Sequence, residues 1–84
     1  MCTTVTTIRE WLKEAQKQGA THVIVACDTF NYEDYPVFVM PGENVRTIAA
    51  QHNNPGEMTR LMEVYNLNMD IEVQLAPGTK VFNY

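Results

Sequence analysis

Hydrophobic positions recur with helical spacing near the start of the chain. Ile8, Trp11, Leu12 and Ala15 fall at i, i+3, i+4 and i+7 and form one apolar stripe. Thr7 followed by Glu10 matches a capping box, which satisfies backbone amides that a helix start leaves orphaned. Gly19 supplies the stop, because glycine enters the left-handed region without strain. The pattern predicts a helix over about residues 8–18, with Lys13 and Lys17 on its outer face and Trp11 as its main core anchor.

The pattern then changes. Thr21-His22-Val23-Ile24-Val25-Ala26-Cys27 is a β-branched apolar run, the signature of a strand buried on both faces and central in its sheet. Val37-Phe38-Val39-Met40 predicts a second strand, with Pro36 at its start or on an edge. The short connection between the two favours an antiparallel hairpin. Pro41-Gly42 ends the second strand. Val45, Ile48, Ala49 and His52 return to helical spacing behind Asn44, a good N-cap. Asn53-Asn54-Pro55-Gly56 is a strong break.

The region from 57 to 75 fits two periods. Met58, Leu61, Met62 and Tyr65 suit a helix, whereas Leu61, Tyr65, Leu67, Met69, Ile71, Val73 and Leu75 share odd parity, with Glu63 as the exception. Val64 and Tyr65 favour extended backbone, so a strand is expected over about 60–67, followed by a turn at Asn66 and Asn68. Ile71-Glu72-Val73-Gln74-Leu75 alternates and reads as another strand, with a short helix as its rival. Pro77-Gly78 is a turn, and Val81-Phe82-Asn83-Tyr84 an edge strand or an arm onto a neighbouring subunit. The order α-β-β-α-β predicts a single α+β domain over residues 1–84, a small antiparallel sheet with two helices on one face.

Composition narrows what such a domain does. A chain of 84 residues buries only a thin core, so a homo-oligomer is expected to add stability. The formal net charge of -4 repels phosphate backbones and argues against nucleic-acid binding. It suits docking on a basic protein surface and leaves room for a small phosphorylated ligand held by local cations. Cys2 and Cys27 read as free thiols of a reducing compartment. No signal-peptide pattern and no run of roughly 20 apolar residues occurs, so a soluble, cytoplasmic protein without membrane partners is expected.

Chemistry concentrates in Cys27-Asp28-Thr29-Phe30-Asn31-Tyr32-Glu33-Asp34-Tyr35-Pro36, three carboxylates and three rings in one loop. The cysteines and histidines show no zinc spacing, and Asp28, Glu33 and Asp34 lack the alternation and central glycine of a calcium loop, so no metal is expected. The chain contains no serine, and the carboxylate following Cys27 works against a thiolate. No glycine-rich phosphate cradle occurs, and no cofactor is implied. Asp28 paired with Glu33 or Asp34, with His22 or His52 as proton shuttle, would suit a small hydrolase. Loop carboxylates are more often simply solvated, and a histidine among apolar strand residues is more often a satisfied structural one. Phe30, Tyr32 and Tyr35 can stack a base, and Arg46, Arg60 and Lys80 can meet phosphate. The plainer account is that these rings cover the core at the loop.

The string from Ala20 to Val39, with Met62-Glu63-Val64-Tyr65 later, resembles a family of small bacteriophage and prophage proteins. The likeness spans roughly residues 8–70 and does not reach the tail from Ala76. It carries over no catalytic residue. It implies a bacterial cytoplasm and a protein acting on host machinery or defence. Two binding functions follow as expectations, both without turnover. The first is a homo-oligomeric sponge for a nucleotide-derived or ADP-ribose-like immune signal, with Phe30, Tyr32 and Tyr35 shaping the pocket and Arg46 and Arg60 on phosphate. The second is an acidic inhibitor that blocks a host protein through Asp28, Glu33 and Asp34. A small hydrolase using Asp28 or His22 is the third.

Overall fold

A computed structural model describes residues 4–76 and 81–84. Cys2, the Pro77-Gly78 turn and Lys80 lie outside the described residues. The first helix, α1 (Val5–Lys17), starts a turn earlier than its apolar stripe suggests, because Thr4 rather than Thr7 is the N-cap: its Oγ1 accepts from the Thr7 N–H at 3.2 Å. Gly19 follows with φ 81°, the left-handed stop expected there. Leu12 is fully buried and Trp11 only partly, so Leu12 is the deeper anchor.

Strands β1 (His22–Asp28) and β2 (Glu33–Val39) form the antiparallel hairpin. A second helix, α2 (Val45–Gln51), begins at Asn44, whose Oδ1 accepts from the N–H groups of Arg46 and Thr47. A single 3-10 turn, Pro55–Glu57, leads into β3 (Thr59–Asn66), which pairs antiparallel with the other side of β1. The sheet order is therefore β2-β1-β3, with the apolar run of β1 at its centre. The chain is an α+β domain with an antiparallel sheet, in the predicted α-β-β-α-β order.

Other details also differ from expectation. Ile71–Gln74 is a short helix, α3, in place of the alternating strand. Asp70 caps it, its Oδ1 accepting from the Val73 N–H at 3.2 Å. The helices also do not share one face. Val23 and Val25 pack with Ile8, Leu12 and Ala15 of α1 and Leu75, whereas Ile24, Val39 and Val64 pack with Ala49 of α2. Neighbouring strand residues point to opposite faces, so a central strand apolar at every position needs cover on both. A register shift at Val25/Ala26 adds a bulge to β3. It sends Leu61 to the α2 side while Tyr65 faces α1, which breaks the odd-parity series.

Both edges of the sheet are guarded. The Thr29 N–H donates to the Met58 C=O and the Leu67 N–H to the Thr21 C=O, both at 2.9 Å, which sets the phase of the β1–β3 ladder. Odd residues of β1 thus exchange hydrogen bonds with β3 and even ones with β2. By the β1–β2 register, Asp34, Pro36 and Phe38 turn their backbone outward, so the missing N–H of Pro36 sits on the open edge. On β3, Val64 donates to the Val81 C=O at 2.8 Å and accepts from the Asn83 N–H at 2.9 Å, a parallel bridge centred on Phe82. The C-terminal segment is thus a short edge piece against its own sheet, and Val81 is buried in the α1-side core.

Candidate functional site

The hairpin tip joins β1 to β2 at one end of the sheet. Antiparallel pairing brings the entry of β3 to the same end, and the Thr29–Met58 hydrogen bond ties the two together. Asp28 shapes the tip by accepting the Phe30 N–H at 2.9 Å, and Asn31 by accepting the Glu33 N–H at 3.3 Å, the local bonds that favour such residues in turns. Tyr32 and Met58 both hold left-handed backbone, φ 57° and 59°. For bulky side chains that conformation costs about 1–2 kcal/mol each. Three large apolar side chains stand out in solvent here: Phe30 is 77% exposed, Tyr32 67% and Met58 50%.

The carboxylates distribute around this end. Asp28 and Glu33 are partners across the hairpin, while Asp34 is opposite Cys27 on the face that α1 covers. Glu57 is exposed in the turn before Met58. Arg60 is exposed and opposite Cys27 from the other strand. Burial, and then the nearby Asp34 carboxylate, push the Cys27 thiol up, which favours its neutral form.

Tyr35 leaves the tip and takes a structural partner. Its hydroxyl lies 2.9 Å from His52 Nδ1, and the rings meet edge to face with centroids 5.7 Å apart. Burial, then the charge of Asp28, raises the Tyr35 phenol. It therefore stays protonated, and the hydroxyl and Nδ1 share one hydrogen bond. The contact fastens the end of α2 to the hairpin.

At the other end of β1 the arrangement differs. Arg46 stacks over the Tyr84 ring at 4.5 Å, next to the start of α2. His22 lies on this side with one unsatisfied atom. The Thr21 hydroxyl donates to the Val39 C=O at 3.2 Å and lies 2.9 Å from His22 Nδ1. Nε2 is buried and makes no direct hydrogen bond among the described residues, which departs from the expected satisfied histidine. Burial lowers the His22 pKa, opposed by the nearby Tyr84 backbone.

The eight residues singled out from the sequence therefore fall in three places. Phe30, Tyr32, Asp28, Glu33, Asp34 and Arg60 gather at the tip end; Tyr35 is occupied with His52; Arg46 is under Tyr84 at the opposite end of β1. Arg46 and Arg60 also belong to opposite faces of the sheet. His22 and Asp28 are separated by the length of β1, about 20 Å at the usual strand rise, so they do not act on one bond. Met58 is the tip residue that local sequence reading misses. Its signal is topological: once β3 pairs antiparallel with β1, its entry must meet the hairpin tip.

Among the described residues no group of histidine, cysteine and carboxylate side chains is gathered as a metal site would require. Among them, too, no helix is long and apolar enough to cross a membrane. No protein-family model, curated protein or solved structure matches the chain.

Proposed function

We propose that the protein is a binding module that works without turnover and engages another protein through the tip. One observation carries this reading: Phe30, Tyr32 and Met58, drawn from two segments joined by the Thr29–Met58 hydrogen bond, are all exposed at the same end of the sheet. Grouped apolar side chains in solvent mark interaction surfaces, whereas single ones do not. Asp28, Glu33 and Asp34 flank the group, as an inhibitor of a host protein would use them. A bacterial cytoplasm and a counter-defence role suit the resemblance noted above. The test is capture from bacterial lysate by wild-type protein, by Phe30→Ser, and by the double variant Glu33→Lys/Asp34→Lys. Loss of the same partner with both variants, at unchanged thermal midpoint, is expected; equal capture by all three rejects the reading.

Capture of a nucleotide-derived or ADP-ribose-like signal is the second reading, favoured by the openness of the Phe30 and Tyr32 rings with Arg60 at the same end. Stacking one base contributes about 1–3 kcal/mol. The carboxylates around the rings oppose phosphate, and Arg46 reaches such a ligand only from a second copy. Calorimetry against cyclic nucleotides and ADP-ribose derivatives decides: heat abolished by Phe30→Ser and Arg60→Ala supports it, and no heat with any compound discards it.

A further inference from the structure

We propose that the partner at the tip is a cationic amphipathic segment of another protein. Its apolar side chains would cover Phe30, Tyr32 and Met58, and its Lys or Arg side chains would face Asp28, Glu33, Asp34 and Glu57. This rests on the reading of the tip as a protein-binding surface and adds the chemistry of what binds.

Charge selects the occupant. The segments 27–36 and 55–60 carry four carboxylates (Asp28, Glu33, Asp34, Glu57) and one cation, Arg60. An apolar group with such a rim favours a partner of opposite sign and repels an acidic one. A second copy of the chain fits poorly. It carries a net charge of -4, and its exposed Lys13 and Lys17 alternate along α1 with exposed Glu10 and Glu14 rather than bordering an apolar stripe. The guarded edges of the sheet select the mode. Pro36 interrupts the outward face of β2, and the C-terminal segment occupies β3 at Val64, so recognition works through side chains at the tip rather than by adding a strand. Two independent segments, the hairpin and the entry of β3, supply the contact, so the segment spans both.

The experiment pans a phage-displayed library of random dodecapeptides on the immobilised full chain. Enriched peptides are then synthesised and titrated against wild-type and variant protein. The expected peptides are net positive with several aliphatic or aromatic residues. Their affinity should fall by roughly tenfold or more with Glu33→Lys/Asp34→Lys and, separately, with Phe30→Ser. It should also weaken steeply as sodium chloride rises from about 0.05 to 0.5 M. Phe30 is 77% exposed, so its replacement leaves the fold intact, and circular dichroism verifies this for each variant. Enriched peptides that need Phe30 yet carry no net positive charge overturn the cationic partner and leave the tip as the binding surface. Peptides indifferent to both variants, or no enrichment, overturn the proposal together with the reading beneath it. Tip-dependent self-association in sedimentation replaces the proposed partner with a second copy of the chain.

Discussion

The side-chain amide of Gln74 hydrogen-bonds both backbone groups of Asn66: Oε1 accepts from the Asn66 N–H, and Nε2 donates to the Asn66 C=O, each at 2.9 Å. A side chain from α3 thus occupies the edge of β3 two residues beyond the bridge at Val64, as a neighbouring strand would. Nε2 also donates to the Asp70 C=O, and Oε1 accepts from Asn83 Nδ2, so this 4% exposed polar side chain is fully engaged. Gln74→Leu strands several part-buried groups, and a loss of about 2–3 kcal/mol in urea unfolding is expected. Gln74→Glu is the sharper test. A carboxylate still accepts from the Asn66 N–H, but it turns a negative oxygen on two carbonyls. Its stability should be poor at neutral pH and partly recover in acid, as the carboxyl protonates and donates. A variant as stable as wild type at neutral pH contradicts the assigned donor.

Alkaline pH should unfold the protein through its buried phenols. Burial, then the charge of Glu63 and a hydrogen bond to it, push the Tyr65 phenol far up, and Tyr35 is raised as well by burial and Asp28. Above the ordinary tyrosine value of about 10, the unfolded chain releases protons that the folded chain retains. Stability is therefore whole below that value and falls as pH rises, by about 1.4 kcal/mol per pH unit for each such group while it stays protonated when folded. Tyr65→Phe should flatten the slope of unfolding free energy against pH by one such increment. An unchanged slope would mean that Tyr65 titrates freely in the native state.

Much of this was legible in the chain. The apolar run of β1, the Asn44 cap and the Gly19 stop depend on local chemistry, and each appears where that chemistry puts it. What escaped depends on partners distant in sequence. Ile71–Leu75 alternates like a strand, but Asp70 caps a helix there and the edge it would join is taken at Val64 by the C-terminal segment. The parity of β3 failed because of a bulge, which leaves no composition signal. The tip announced itself by its density of rings and acids. The separation of Arg46 from Arg60 did not, because it depends on which face α2 takes, and a strand apolar on both sides does not say.

Arg9 of α1 and Glu72 of α3 meet in a two-pronged contact at 2.8 and 3.0 Å, at the exposed rim of the apolar packing between the two helices. The hydrogen bond from Arg9 is the main cause that holds the Glu72 carboxyl below its usual range, while its partner's guanidinium is raised. A group depressed in the folded state supports folding above its ordinary pKa and ceases to as pH falls through the lower value. In a carbon-detected NMR titration, Glu72 should titrate below the ordinary glutamate value of about 4.3. Arg9→Gln should return it to that value, and high salt should move it partway, since exposed pairs are screened. A midpoint unmoved by Arg9→Gln would show that the pair does not persist in solution.

Met58 offers the clearest separation of folding from binding. Its backbone is left-handed, φ 59°, and its side chain is half exposed. Glycine would adopt the same backbone without strain. Relief of the left-handed cost, about 1–2 kcal/mol, outweighs the extra freedom that glycine gives the unfolded chain, about 0.4–1 kcal/mol. Met58→Gly should therefore be as stable as wild type or more so, by up to about 1 kcal/mol in urea unfolding. If Met58 belongs to the binding surface, the same variant should bind the partner more weakly while folding at least as well. Reduced stability would show that the Met58 side chain packs the fold. Undiminished binding would remove it from the surface and leave the hairpin alone to make the contact.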